Sequence, residues 1–413
     1  MLLRTRQSVH PRIGQLFLWI VFSSLLSSTA SPAATNKSTP WQTIVQWDND
    51  LFMSGTDQDY TNGARIAFQR EFPQRQTPTG RLKDPLRQLT GADRTGTVGN
   101  FRLSDLGLLR YAWGIGLTQL MYTPRNPGTK EPPAGERPYA GWLGMEFSLQ
   151  AMNKTSVSGI TLSLGTTGDS SMAEDTQDWV HENISNSPLF QGWDSQVPQE
   201  FTINLHFDHK RRLPFLEHGT PGSFSTDGYG EWGMAGGNFK TNAYIGSLIR
   251  FGYNLPSTHS TPRVQLGSYG AAFFRQDPFE KKAFSLLGFT GLRGSWVIHD
   301  ITMDGTVFRD RRHDVESKPL VGEWIYGIQL RWNAFDLSLS HHPYRRIQRT
   351  GREPPIRVCH ASLAQPLLNR PLQNQPNRIQ TKVRPGNLLN RLIHLFPRKT
   401  NLLCANIRVY PTE

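Results

Sequence analysis

The stretch WLGMEFSLQ, residues 142–150, alternates apolar and polar side chains with a period of two. Such alternation predicts a β-strand with one apolar and one polar face, and Glu146 lies on the polar face here. The same pattern occurs in GITLSLG (159–165), FTINLHFDH (201–209), YGIQLRW (326–332) and FDLSLS (335–340). The chain is therefore expected to be all-β, with about twelve strands between residues 44 and 340.

A soluble β-sandwich and a membrane β-barrel both show this alternation. The polar faces carry the charged residues Glu146, Asp208 and Arg331, as expected for the interior of a membrane barrel. Aromatic residues such as Trp142 and Trp332 stand at strand ends, where membrane barrels have aromatic girdles. These two features favour a transmembrane antiparallel β-barrel of about 12 strands.

The N-terminal segment has the features of a secretory signal peptide. Three arginines precede an apolar run at residues 16–26, and small residues follow up to Ala34. The apolar run is too short for a membrane-spanning helix. We therefore expect a signal peptide at 1–34, a barrel domain at 35–342 and a separate tail at 343–413.

The formal net charge of +12 is concentrated outside the barrel segment. Residues 343–413 contain 13 Lys and Arg but only two acidic residues, whereas residues 35–342 are nearly neutral. This distribution argues against a general nucleic-acid surface, so we expect no nucleic-acid partner. The tail is rich in Pro, Arg and Asn, a composition that predicts disorder.

One segment, SSMAEDTQDWVHENISN at residues 170–186, lacks the strand alternation and predicts a short helix. Glu174, Gln177 and His181 would share one face of this helix. A polar stripe on a short helix is commonly solvated surface. Here, however, the helix would be the only one in a β-protein, and its polar stripe ends in a histidine. These two features favour a functional site.

The segment WDNDLFMSGTDQDY, residues 47–60, gathers carboxylate and amide oxygens, the hard ligands that calcium prefers. Its spacing is not that of an EF-hand loop, because the sixth-position Gly and the closing Glu are missing. A solvated, Asp-rich turn between two strands is the alternative interpretation.

Six segments resemble, in order and spacing, the diagnostic motifs of the outer-membrane lipid A 3′-O-deacylase family. They are WDNDLF, TDQDYTNGARIAF, QLMYTP, RPYAGWLGMEFSL, LGTTGDSSMAEDTQDWVHE and GWDSQVPQEFTINLHF, within about residues 41–342. The resemblance implies a twelve-stranded barrel in the outer membrane of a Gram-negative bacterium. It also implies a calcium-dependent site between the barrel wall and a short helix. The expected partners are lipopolysaccharide as substrate and outer-membrane lipids around a monomer.

Matched to the family motifs, the site residues are Asn49, Asp50, Thr61, Gln177 and His181. The family also has a site lysine, which has no counterpart in the segment 119–122, and Lys130 is not assigned to that role. Thr61 is equally compatible with a strand residue that faces the lumen.

The residue types suit ester hydrolysis. His181 would act as the general base, and Gln177 would orient the ring or the attacking water. Calcium held by Asp50 and Asp48 would face the oxyanion, while Asn49 would either donate to the oxyanion or fix a ligand. The predicted function is hydrolysis of the 3′-acyloxyacyl ester of lipid A. The alternatives are a non-catalytic pore or receptor and an outer-membrane phospholipase.

Overall fold

The computed structural model describes residues 41–49, 59–72, 97–98, 101–102, 110–124, 128–132, 136–153, 155–185, 187–220, 222–256, 284–308, 319–332, 335–341, 344–347 and 404–409. The predicted signal peptide, Asp50 and most of the tail lie outside these residues.

Fifteen strands account for most of the described chain. They are β1 (Trp41–Asn49), β2 (Asp59–Glu71), β3 (Thr97–Val98), β4 (Phe101–Arg102), β5 (Arg110–Thr123), β6 (Ala140–Met152), β7 (Ser156–Thr167), β8 (Phe201–Arg212), β9 (Phe224–Gly237), β10 (Lys240–Tyr253), β11 (Phe284–Asp300), β12 (Leu320–Trp332), β13 (Phe335–His341), β14 (Tyr344–Ile347) and β15 (Cys404–Val409).

Among the described residues, two α-helices lie near strand ends, α1 at Ala173–Val180 and α2 at Ile301–Asp304. A π-helical turn, His181–Ser185, continues α1, and 3-10 turns occupy Asp169–Ser171, Trp193–Ser195 and Pro214–Leu216. In the described ranges, no helix has the length and apolar character needed to cross a membrane.

The strands pair antiparallel with their neighbours and form a closed ring. The order around the ring is β1, β2, β5, β6, β7, β8, β9, β10, β11, β12, β13 and β15, which pairs again with β1. The short strands β3 and β4 pair only with each other among the described strands. The ring therefore has twelve strands, and the expected antiparallel barrel is confirmed.

The two faces of the wall are inverted relative to a soluble protein. On β8, the apolar residues Phe201, Ile203 and Leu205 are exposed, whereas Asp208 and Lys210 on the alternate positions are buried. Soluble proteins place such residues the other way round. An apolar outer face around a polar interior is the arrangement of a barrel that sits in lipid.

Charged side chains in the lumen are paired across strands. Arg65 on β2 reaches over β5 to Glu146 on β6, with 2.8 Å between Nη2 and Oε1. Arg293 on β11 reaches over β10 to Glu231 on β9 at 2.7 Å. In both pairs a buried charge meets an opposite charge, which limits the desolvation cost of burying it.

The barrel continues beyond the predicted boundary at residue 342. Strand β14 keeps the register of β13 on β12, since His341 pairs with Tyr326 and Tyr344 pairs with Glu323. Strand β15 lies between β13 and β1. Both segments belong to the tail whose composition predicts disorder. The hexapeptide CANIRV nevertheless alternates apolar and polar residues, and its insertion gives β1 and β13 a hydrogen-bonding partner.

Closure by β15 predicts that the tail is needed for a stable barrel. Ile407→Pro removes a backbone donor from a strand that is paired on both sides, so the variant should lose the heat-modifiable migration of a closed barrel on gels. Removal of residues 404–413 should have the same effect. The control Ile407→Val should migrate like the wild type, and a heat-modifiable Ile407→Pro variant would contradict the role of β15.

Candidate functional site

Helix α1 packs on the outer face of the wall, over β5 and β6. Gln119 on β5 contacts the helix, and it shares its strand face with the exposed residues Trp113 and Leu117. Gly141 on β6 contacts the helix segment too, on the same face as the exposed Met145. The site that α1 forms is therefore separate from the lumen.

Two features bring the helix segment close to the wall. The Gln119 amide donates from Nε2 to the Ser171 carbonyl at 2.8 Å and to Thr176 Oγ1 at 3.2 Å. A Cβ at Gly141 would lie 2.0 Å from Ser171 Oγ and 2.5 Å from Ala173 Cβ. The helix thus lies against bare backbone at this point of β6, and a larger residue would displace it.

His181 follows α1 directly, and its ring is buried. Its Nδ1 lies 2.8 Å from the Pro188 carbonyl oxygen, and the ring meets Phe190 edge-on at 4.8 Å between centroids. A carbonyl oxygen only accepts, so Nδ1 must carry the hydrogen. In the neutral imidazole this bond assigns the basic lone pair to Nε2.

Gln177 lies one turn before His181, and its amide is oriented by Trp193. The indole Nε1–H donates to Gln177 Oε1 at 3.0 Å. Because indole nitrogen only donates, the amide oxygen must face Trp193 and the amide NH₂ must point elsewhere. Trp193 itself packs on Tyr139, with 5.1 Å between ring centroids. Burial raises the pKa of Tyr139 to about 12, so the ring packs as a neutral phenol.

The other predicted residues lie at the end of β1 and the start of β2. Asp48 is buried and shares its strand face with Gln46, whose side chain bonds Arg65 in the lumen. The structure therefore does not bring Asp48 together with Gln177 and His181. Asn49 pairs with Asn62, and the register shifts at Thr61, between Tyr60 and Asn62. The side chains of Asn49 and Thr61, and all of Asp50, lie outside the described residues.

Among the side chains that the structure describes, no group of three or more His, Cys, Asp or Glu could hold a metal ion. The donors expected for calcium are concentrated between residues 49 and 59, most of which the description does not cover. Their chemistry fits this ion, because the segment supplies carboxylate, amide and backbone oxygens.

A family model described as "Outer membrane protein LpxR" matches residues 16–353. The chain belongs to this family. The match confirms both the family indicated by the sequence motifs and the location in the outer membrane. It ends before β15, so the closing strand lies outside the segment that the LpxR family model covers.

A solved structure supports the same fold. LpxR from Salmonella typhimurium is similar over 89% of this chain and 99% of its own, with 13% sequence identity and a TM-score of 0.59. The β domain of the Bordetella autotransporter BrkA covers 91% of this chain at 8% identity, with a TM-score of 0.35. No curated protein matches the chain.

The roles of Gln119, Gly141 and Trp193 are visible only in the structure. All three lie near motifs of the LpxR family, in the segments QLMYTP, RPYAGW and GWDSQVPQE. A buried tryptophan needs a hydrogen-bonding partner for its N–H, and this need is the feature of the sequence that points to a role for Trp193. The partner itself is 16 residues away and is not indicated by any periodicity.

The close approach at Gly141 predicts that a side chain there lifts α1 off the wall. In Gly141→Val, amides of residues 173–180 should exchange hydrogen about tenfold or more faster, while heat-modifiable migration persists. Gly294→Val on β11 is the control, because a Cβ there meets nothing within 4 Å. Unchanged protection of the helix in Gly141→Val would refute this account of how the helix is held.

Proposed function

We propose that the protein is an outer-membrane esterase that hydrolyses the ester-linked 3′-acyloxyacyl chain of lipid A. The observation that carries the proposal is the pair Gln177 and His181, whose protons are assigned by Trp193 and Pro188. The family supports lipid A deacylation, and the assigned protons support ester hydrolysis.

His181 is the general base in this proposal. Its Nε2 lone pair takes a proton from a water molecule as that water attacks the ester carbonyl. The bond from Nδ1–H to the Pro188 carbonyl holds the ring in the tautomer that this step needs. The same carbonyl stabilises the imidazolium formed by the proton transfer, because Nδ1 goes on donating to it.

Gln177 presents N–H groups because its oxygen accepts from Trp193. A donor of this kind stabilises negative charge that develops on the carbonyl oxygen during attack. We therefore assign Gln177 to the ester oxygen rather than to the histidine ring. The base and the donor then belong to adjacent turns of one short helical segment.

Calcium is the proposed cofactor, held by Asp50 and oxygens of residues 49–59, where it would polarise the ester carbonyl as a Lewis acid. Asp48 is left out of this set because it lies on the lumen face with Gln46. Thr61, at the register shift, remains a candidate for positioning the substrate.

The position of α1 favours a lipid substrate. A site on the outer face of the wall is reached from the surrounding membrane, whereas a pore or receptor would present its functional groups in the lumen. The described lumen contains buried ion pairs that join different strands, such as Arg65–Glu146 and Arg331–Asp336, and side chains of this kind occupy space that an open channel would need. An outer-membrane phospholipase would use the same groups, so substrate assays have to separate the two enzymes.

Loss of the base should abolish deacylation. His181→Ala should reduce release of 3′-linked chains from lipopolysaccharide in micelles by about 10²- to 10⁴-fold, measured by mass spectrometry of lipid A. His181→Asn can still donate to Pro188 but lacks the base, so it should lose as much activity. The control His218→Ala, at an exposed site beside β9, should be unaffected. Full activity in both His181 variants would refute the proposal, and release from glycerophospholipids alone would favour the phospholipase.

The metal proposal predicts a second pattern. A chelator should silence the wild type, and added calcium should restore it. Asp50→Asn keeps an oxygen ligand, so raised calcium should partly restore its activity, whereas Asp50→Ala should not recover. Asp175→Asn, an exposed carboxylate on α1, is the matched control and should keep the calcium response of the wild type. Undiminished activity in chelator would rule out the metal.

A further inference from the structure

Trp193 is a buried residue of the turn Trp193–Ser195, and its indole N–H is bonded to Gln177 Oε1. We propose that Trp193 is a positioning residue, which acts on the reaction by setting the end of the Gln177 amide that faces the ester. The inference rests on the proposed function.

The two ends of a glutamine amide have almost the same shape and opposite hydrogen-bonding character. Rotation by 180° would replace the N–H donors with an oxygen lone pair, which repels a developing oxyanion. A donor-only partner such as indole bonds the oxygen and leaves the rotated amide without that bond. The Trp193 indole therefore acts as an orientation lock on Gln177.

The turn that carries Trp193 is fixed on several sides. Its backbone packs on the Tyr139 ring so closely that a Cβ at Gly192 would lie 2.2 Å from Tyr139 Cε2. Val197 N–H donates to the Tyr139 carbonyl at 2.8 Å, and Ser195 Oγ donates to the Lys130 carbonyl at 2.9 Å. These contacts fix the position of the indole. A small displacement of the indole would misalign the Gln177 amide.

The turn is also joined to the segment that leads into the helix. Gln196 Nε2 donates to Asp169 Oδ1 at 2.9 Å, and Asp169 begins the 3-10 turn before α1. Trp193 and Gln177 are thus carried by two segments of one loop between β7 and β8, and the bond between Gln196 and Asp169 joins these segments. This geometry lets the lock act on Gln177 without contact between Trp193 and the substrate.

Trp193→Phe tests the proposal, because it keeps most of the ring volume and removes the N–H. We expect kcat to fall by about 10- to 10²-fold with little change in KM, approaching the value of Gln177→Ala. Trp142→Phe is the matched control: Trp142 is also buried and donates its N–H at 2.7 Å, but to Thr202 on β8. Its kcat should stay near that of the wild type.

The double variant Trp193→Phe/Gln177→Ala separates positioning from packing. If Trp193 acts through Gln177, the double variant should be no slower than Gln177→Ala alone. Losses that multiply, or full activity in Trp193→Phe, would overturn the proposal. If Trp193→Phe loses heat-modifiable migration, nitrogen-15 NMR of the Trp193 indole N–H tests the hydrogen bond instead. The signal should shift in Gln177→Ala, and an unchanged signal would overturn the proposed lock.

Failure of the proposed function gives a different result. In that case the wild type releases no fatty acid from lipopolysaccharide, and the same comparisons of kcat are made on whichever ester the wild type does hydrolyse. The NMR signal does not depend on the substrate at all. If the signal shifts in Gln177→Ala but the wild type has no esterase activity, the hydrogen bond exists and serves no reaction. That result overturns the positioning role.

Discussion

A sheet surrounded by hydrocarbon cannot leave backbone N–H and C=O groups unpaired along an edge, because no water is present to bond them. This constraint determines the rest of the molecule. It requires the ring to close, and in this chain closure comes from β15, which pairs with both β1 and β13. Closure also fixes the two faces of every strand. The outer face becomes apolar, and the charges of the lumen must neutralise one another, as Arg293 and Glu231 do.

The candidate site follows from a different kind of constraint, the presence of groups with a single hydrogen-bonding role. The Pro188 carbonyl can only accept, so it fixes the tautomer of the neutral His181 ring. The Trp193 indole can only donate, so it fixes the orientation of the Gln177 amide. Neither partner is titratable near neutral pH. The tautomer of the neutral His181 ring and the orientation of the Gln177 amide are therefore set by hydrogen-bonding partners whose own roles do not change near neutral pH.

Much of the fold was predictable because strand alternation is a local signal with a period of two, and the helix with Gln177 and His181 was predictable from spacing along one helical face. The closing strand was not, because six residues in a polar tail carry a weak signal, and pairing with β1 is a long-range contact. Alternation also explains why Asp48, which was predicted to bind calcium, lies on the lumen face. Asp48 follows Trp47, which bonds Asn62 with its indole, and adjacent strand positions face opposite ways. Trp193 depends on tertiary packing, which no periodicity encodes.

The mounting of α1 on the outside of the wall has a kinetic consequence. A catalytic group in that position encounters molecules that diffuse sideways within one leaflet, and the substrate need not leave the membrane. The relevant concentration is then the mole fraction of substrate among neighbouring lipids, a two-dimensional quantity. Diluting the same amount of substrate with inert lipid or detergent would slow turnover, even at constant concentration in the bulk solution.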